Sequence, residues 1–474
     1  MAAPQSRQPG RGAYVASTLS ILFALWRRFM RDVADLACPR NRARSKNVTT
    51  KSMIQTPIGL AANRQRNQMT LTEKATIATR TAPAAAKYSY PIGYLRGFIV
   101  ALVVAHHSAL AYHPFAPPPP ATLIAQPRWR TAFPIVDHAR WSAATLFVGF
   151  NETFFMSLMF FLSGLFFWQS FIRKGSTKFL RDRLLRLGLP FLIAAAVFAP
   201  LAYYPTWLQI SRHASNTGFW HQWLGLGQWP AGPVWFVWVL LAFDCIAALL
   251  FTLAPKFGDA LSHITSRLSS HPIVFFASLV ALSALVYIPM AIVFTPLAWT
   301  AFGPFAFQTS RIVHYFVYFL MAVGVGSKGL TRGLLAPDGK LARRWPLWTI
   351  AALVVFALNA ALTVAVLTSH AQSPAWAIAQ DAGFVLSCAA ISFAFLALFT
   401  RFVKSRSAIF DSLSANSYAI YLVHYIFVSW LQYALLPISL PGYAKFAIVF
   451  SGALGLSWAT AAALRRIPAV ARIV

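Results

Sequence analysis

Ten long apolar blocks decide what this chain can become. They run approximately over 92–112, 146–172, 187–205, 233–254, 273–294, 312–327, 347–368, 380–400, 417–436 and 442–464. About 20 apolar residues in a helix cross a hydrocarbon core of about 30 Å, and a helix satisfies its own backbone polar groups there. The blocks therefore predict an all-α polytopic integral membrane protein of about ten transmembrane helices filling residues 88–474. Only 11% of residues are charged and 58% are apolar, where a soluble domain carries roughly a quarter charged. No stretch is left for a large soluble domain, so a soluble enzyme fold is excluded. Of three cysteines, Cys245 and Cys388 fall in apolar blocks and Cys38 in a basic tail, which gives neither a disulfide framework nor a metal-ligand cluster.

The formal charge is +30, from 41 Lys and Arg against 11 Asp and Glu. On a soluble protein that would point to nucleic acid; here the distribution argues for no nucleic-acid partner. With the N-terminus cytosolic, 34 of the 41 basic residues fall on the cytosolic side and 5 on the other, Arg96 and Lys445 lying within blocks. By the positive-inside rule both termini are expected in the cytosol, with anionic membrane lipids in contact with the basic segments.

Residues 1–87 are basic, poor in acids and without sustained periodicity, the composition of a disordered cytosolic tail. Within it the apolar run 13–26, followed by Arg27, Arg28 and Arg31, has the length of an interfacial helix rather than a span. A signal peptide there would translocate the basic stretch behind it, against the charge rule. Met53 and Met69 are alternative start sites, since nothing before Tyr88 is needed by the membrane domain. No internal repeat of the kind that builds transporters from inverted halves is evident.

The chemistry rests on ionisable residues that the bilayer has not excluded, each of which should face protein or water. In the first block, Arg96-GFIVALVVAH-His107, eleven steps of about 100° put Arg96 and His107 on one face, about 16 Å apart, while His106 points elsewhere. Alone, such an Arg would snorkel to the headgroups and such a His would be an ordinary hydrogen-bonded residue; together they mark a functional stripe. Glu152, one of two glutamates in the chain, lies near the outer start of the second block, at nearly the depth of His107. It is expected to contact His107, orient it and raise its basicity, unless it is simply a loop-end carboxylate. In the ninth block Ser417, Tyr421, His424 and Tyr425 form a polar stripe at i, i+4, i+7, i+8, either site residues or interhelical glue. Asp244 and Asn359 read as helix-packing residues.

Two surface segments add to this. The outer loops 113–142, with Pro117–Pro120, and 206–232, with Trp207, Trp220, Trp223 and Trp229, fit an interfacial aromatic belt or a platform on which pyranose rings stack. On the cytosolic side Arg181, Arg183 and Arg186 share a helical face, either as topology determinants or as a clamp for the phosphates of a nucleotide-bearing donor.

Four segments in order, Tyr94-LRG-Phe98 with its Arg separated by ten residues from His107, Phe160-FLSG-Leu165, Arg181-DRLLRLGLP-Phe191 and Asn416-SYAIYLVH-Tyr425, resemble the bacterial membrane acyltransferase 3 family over residues 88–464. The resemblance implies ten helices in the bacterial inner membrane. It also implies transfer of an acetyl or succinyl group from cytosolic acyl-coenzyme A, a substrate and not a resident cofactor, to a hydroxyl of an extracytoplasmic glycan or glycolipid. Its general shape is similar to members that acylate periplasmic glucans. The extra extracytoplasmic hydrolase-like domain of some relatives is not expected in this chain, so a second transfer step would require an envelope-biosynthesis partner. Arg96 and His107 match the family's paired positions. The expected roles are His107 as general base with Glu152 beside it, and Arg96, Arg183 and Arg186 on the donor, with no metal; direct transfer and an acyl-histidine both stay open. His424 and Tyr421 are further candidates. A glycan or lipid exporter without transferase activity is the alternative, and an Asn359 and His370 acyltransferase a remoter one.

Overall fold

The computed structural model describes residues 89–473 apart from 119–122, 124–127, 215–217, 228 and 370–372. The tail 1–87 with its 13–26 segment, Cys38, Pro119, Pro120 and His370 lie outside the described residues. Every one of the ten apolar blocks is helical. In chain order the helices are α1 Tyr90–Leu110, α2 Ala143–Gly164, continued by Phe167–Lys174, α3 Ser176–Ile210 and α4 Trp235–Leu253. They continue with α5 Pro255–Ser269, α6 Pro272–Phe294, α7 Ile312–Ser327, α8 Trp345–Ser369, α9 Pro374–Phe402, α10 Ala408–Ala434 and α11 Gly442–Leu464. Among the described residues eight of these, α1 to α4, α6, α8, α9 and α11, are long and apolar enough to cross a membrane. Helix α7 is apolar but has 16 residues, and α10 has the length but carries Asp411, Asn416, His424 and Gln432.

Two elements have no counterpart in the apolar blocks. Helix α5 is a polar helix between α4 and α6. Strands β1 (Trp299–Phe302) and β2 (Phe305–Gln308) form an antiparallel hairpin with Trp299 opposite Gln308, held down by the Trp238 indole donating to the Ala306 carbonyl at 2.9 Å.

The core is built where helix backbones approach closely. A Cβ at Gly164 would collide with the Phe319 carbonyl, and one at Gly326 with the Leu165 carbonyl, so α2 and α7 meet at the small-residue contact that membrane helices favour. Helices α6, α8 and α11 instead present apolar side chains outward, such as Leu285, Val293, Leu358, Leu367 and Leu456, which suits a hydrocarbon surrounding.

Helix α3 shows how irregular backbone is accommodated. Pro190 and Pro205 have no N–H, so the carbonyls four residues before them, at Arg186 and Leu201, lose their helical donors. Both are satisfied from α10: the Tyr418 hydroxyl donates to the Arg186 carbonyl at 2.7 Å and the Trp430 indole to the Leu201 carbonyl at 3.0 Å. The helix also widens into π-turns at Leu184–Gly188 and Ala194–Phe198. In a membrane the unpaired carbonyls would each be costly, so this pairing fixes α3 against α10.

Candidate functional site

Helices α1 and α10 run side by side in the same direction, and the seam between them organises the site. At its start the Tyr94 hydroxyl donates to the Asp411 carboxylate at 2.6 Å and accepts from the Ser407 N–H at 2.9 Å. Two residues on, the Arg96 guanidinium donates to the Ser414 carbonyl at 3.2 Å, and Gly97 lets the Ser414 main chain come close. At the other end the rings of His107 and His424 lie 5.2 Å apart, as do those of His107 and Tyr425. The Gln432 amide donates to the carbonyls of His107 and Ser108 at 2.9 and 3.3 Å, which lack helical partners at the end of α1. Arg96 and His107 thus both face α10, as their spacing requires.

His107 opens onto a cavity of about 350 Å³. Its walls come from α1 (His106, His107), α2 (Glu152, Phe155), the loop before α4 (Pro230 to Pro233), the hairpin (Trp299, Gln308) and α10 (Tyr421, Tyr425). Nδ1 of His107 is bonded to the Val103 carbonyl at 2.8 Å, which puts the ring proton on that nitrogen and leaves Nε2 as the basic atom. His424 is fully buried, its Nδ1 bonded to the Tyr421 carbonyl at 2.7 Å and its Nε2 without a hydrogen-bond partner. The Tyr421 hydroxyl donates to the Pro233 carbonyl. That brings the Pro-Ala-Gly-Pro turn over the cavity, with Gly232 at φ +61°, a conformation glycine adopts without strain, against the Tyr425 ring.

Glu152 lines this cavity but does not meet His107. Its Oε1 lies 3.3 Å from Nε2 of His106, and its Oε2 3.3 Å from Nη1 of Arg311. The expected pairing is thus shifted by one residue. Successive side chains on α1 point about 100° apart; α2 packs on the side that His106 faces and α10 on the side that His107 faces. Depth along the membrane was enough to bring Glu152 to the right level, but not to choose between neighbours.

The donor-side expectations are also redistributed. Arg183 pairs with Asp244 of α4 at 3.1 Å, so Asp244 is a buried partner of a cation and Arg183 ties α3 to α4. Arg181 and Arg186 are exposed. Arg186 belongs to the π-turn that Tyr418 holds, and Tyr418 lies one turn beyond the Ser414 carbonyl that Arg96 contacts. Arg96 and the Arg186 backbone therefore converge on one turn of α10. Among the described residues no three His, Cys, Asp or Glu side chains are grouped to hold a metal ion.

The loops after α1 and α3 are fastened to the bundle. Lys445 and Asp137 form a fully buried ion pair at 2.7 Å, and the Gln209 side-chain amide clasps both main-chain groups of Val136 at 2.8 and 3.3 Å. Trp223 is buried among Phe219 and Tyr203. The tryptophans that line the cavity are instead Trp235 and Trp299, nearly perpendicular at 5.4 Å. His113, beyond the end of α1, lines the same cavity; burial first, then the neighbouring His106 and Arg140, push its pKa down to about 4.

These features accompany a sequence match. The profile of the acyltransferase domain, acyltransferase 3, matches residues 90–462. The chain belongs to the acyltransferase 3 family. No protein with a curated description matches it. It is a multi-pass membrane acyltransferase that transfers groups other than aminoacyl groups.

The acyltransferase's motifs acquire physical meaning in this frame. Tyr94, Arg96 and Gly97 make the seam with α10, and Phe160-FLSG-Leu165 carries the glycine at the α2 and α7 contact. Arg311 was the residue sequence reading missed, counted as one of five basic residues on the sparsely charged side. Its side chain is 8% exposed. The signal was available: an arginine directly before an apolar block must be paired or reach the headgroups. The hairpin, too, was announced by Gly303-Pro304 between aromatic residues.

Proposed function

We propose that this acyltransferase moves an acetyl or succinyl group from acyl-coenzyme A on the cytosolic side to a hydroxyl of an extracytoplasmic glycan or glycolipid, with His107 as general base. The observation that carries the reading is His107 on the cavity wall with its Nδ1 tied to the Val103 carbonyl, leaving Nε2 as the proton acceptor. Nε2 takes the hydroxyl proton as the oxygen attacks the thioester carbonyl; the new ester bond forms, the C–S bond breaks, and the proton passes to the departing thiolate. General-base assistance of this kind contributes about 10²–10⁴-fold. The aromatic walls Trp235 and Trp299 suit the apolar faces of sugar rings.

The donor's phosphates and pantetheine would lie toward the opposite end of the seam, at Arg96 and the exposed Arg181 and Arg186, where guanidinium groups match phosphate oxygens. The charge asymmetry supports cytosolic termini; the proposed setting is a bacterial inner membrane, with membrane lipids and envelope-biosynthesis proteins as partners. The test compares wild type with His107→Ala, matched for membrane insertion, for transfer of label from acetyl- and succinyl-coenzyme A to envelope glycans. Label should reach glycan only with wild type, from one donor in preference; equal transfer by both proteins would remove His107 from the mechanism.

A further inference from the structure

Glu152 is held from behind. Arg311 donates through one Nη1 to the Glu152 backbone carbonyl at 3.2 Å and to its Oε2 at 3.3 Å, and its guanidinium lies over the Phe384 ring at 4.6 Å. The His106 ring, 4% exposed, meets Oε1 at 3.3 Å, and its Nδ1 is buried without a hydrogen-bond partner, so its proton sits on Nε2 and points at the carboxylate. An ionised carboxylate has about four acceptor positions. Two are taken by the protein, while the side chain is 38% exposed and lines the cavity that His107 also lines. A carboxylate anchored on both oxygens yet still open to the cavity is arranged to receive hydrogen bonds from a ligand that carries donors.

We propose that Arg311 is a positioning residue for the acceptor. It holds the Glu152 carboxylate toward the cavity, where the remaining acceptor positions take a hydroxyl adjacent to the one being acylated. The site then prefers vicinal diols to monohydric alcohols. This rests on the reading of the cavity as the acceptor site. An arginine suits the task because its Nη1 bonds main chain and carboxylate together while the planar guanidinium stacks on Phe384, a stacking that a lysine cannot reproduce.

The test uses the purified full-length chain, the acyl-coenzyme A that wild type uses, and two probes of similar size, trans-cyclohexane-1,2-diol and cyclohexanol. Wild type should show a KM for the diol about tenfold below that for cyclohexanol, the size of one charge-assisted hydrogen bond. Arg311→Met and Glu152→Gln should each raise the diol KM about tenfold, leave the cyclohexanol and donor KM values unchanged, and in combination cost no more than either alone. Arg311→Lys should recover part of the loss. A structural role alone would lower kcat for both probes equally. Should Arg311→Met fail to fold, Glu152→Gln carries the test. A wild type that uses both probes alike, or neither, or a folded Arg311→Met protein with unchanged diol KM, overturns the proposal. Full transfer by His107→Ala would instead overturn the reading of the cavity itself.

Discussion

The two ends of the α1 and α10 seam use the same pair of helices for opposite purposes. At the Arg96 end the contacts are polar hydrogen bonds, Tyr94 to the Asp411 carboxylate, Arg96 to the Ser414 carbonyl and Tyr418 to the Arg186 carbonyl, and the neighbouring Arg181 and Arg186 stay exposed. At the His107 end, besides the Gln432 amide bonds to the last carbonyls of α1, the rings of His107, His424 and Tyr425 meet, and His107 and Tyr425 wall a cavity in which the basic Nε2 of His107 is left over. The difference teaches that one helix face can carry an open, cationic end fit for a large charged donor and an enclosed end fit for a neutral hydroxyl. If the division holds, substitutions at the two ends must separate kinetically. The largest effect belongs to His107: His107→Ala should lower kcat about 10³-fold while leaving donor binding, measured by equilibrium titration with a non-hydrolysable acyl-coenzyme A analogue, near wild type.

Next in size is the other end. Arg96→Met should raise the donor KM about tenfold, as expected for loss of a hydrogen bond to a charged group, and leave the acceptor KM unchanged. Arg186→Met should act in the same direction, and Arg183→Met should differ from both. Because Arg183 is spent on Asp244, its loss should appear in thermal stability before it appears in the donor KM. A donor KM that responds to Arg183 as strongly as to Arg96 would break the division between packing and binding cations.

How much of this was legible in the sequence depends on how local each signal is. Helix existence was local: the blocks 273–294 and 312–327 became Pro272–Phe294 and Ile312–Ser327 because apolar length alone decides them. The Arg96 and His107 stripe was local too, since both residues ride one helix. Which neighbour each residue meets was not. Glu152 reached the depth foreseen for it but met His106, because the choice between two residues 100° apart is made by where α2 and α10 pack. Asp244 could have been given a partner on principle, since a lone carboxylate in an apolar span needs one, but nothing in the order of residues said that Arg183 would supply it. The proline carbonyls were half legible: Pro190 and Pro205 guarantee two orphan acceptors, whereas their donors lie over 200 residues away.

Those donors give the third prediction. Tyr418→Phe and Trp430→Phe each leave one α3 carbonyl unpaired, at a cost of about 1–3 kcal/mol. The two should nevertheless differ in function. Tyr418 secures the turn that carries Arg186, so its loss should also raise the donor KM, while Trp430, at the far end of the seam, should affect stability alone. Thermal denaturation in a single detergent, read beside donor and acceptor KM values, separates them; identical kinetic effects would show that the seam behaves as one unit.

The smallest effect concerns the cavity rim. His113 has its pKa lowered to about 4, by burial first and by His106 and Arg140 second, against about 6.5 in an unfolded chain. Between those values the unfolded chain binds more protons than the folded one, so the contribution of His113 to stability is complete above about pH 6.5 and is lost as pH falls toward 4. His113→Gln has nothing to titrate there, and its Tm should fall less than that of wild type between pH 7 and pH 5, by about 1–2 °C. Across the same range the folded protein keeps His113 neutral, so the substitution should leave the pH dependence of kcat in place. A shift in that profile would mean that the rim histidine exchanges protons with the acceptor, and would move the boundary of the catalytic end outward from α1 into the loop.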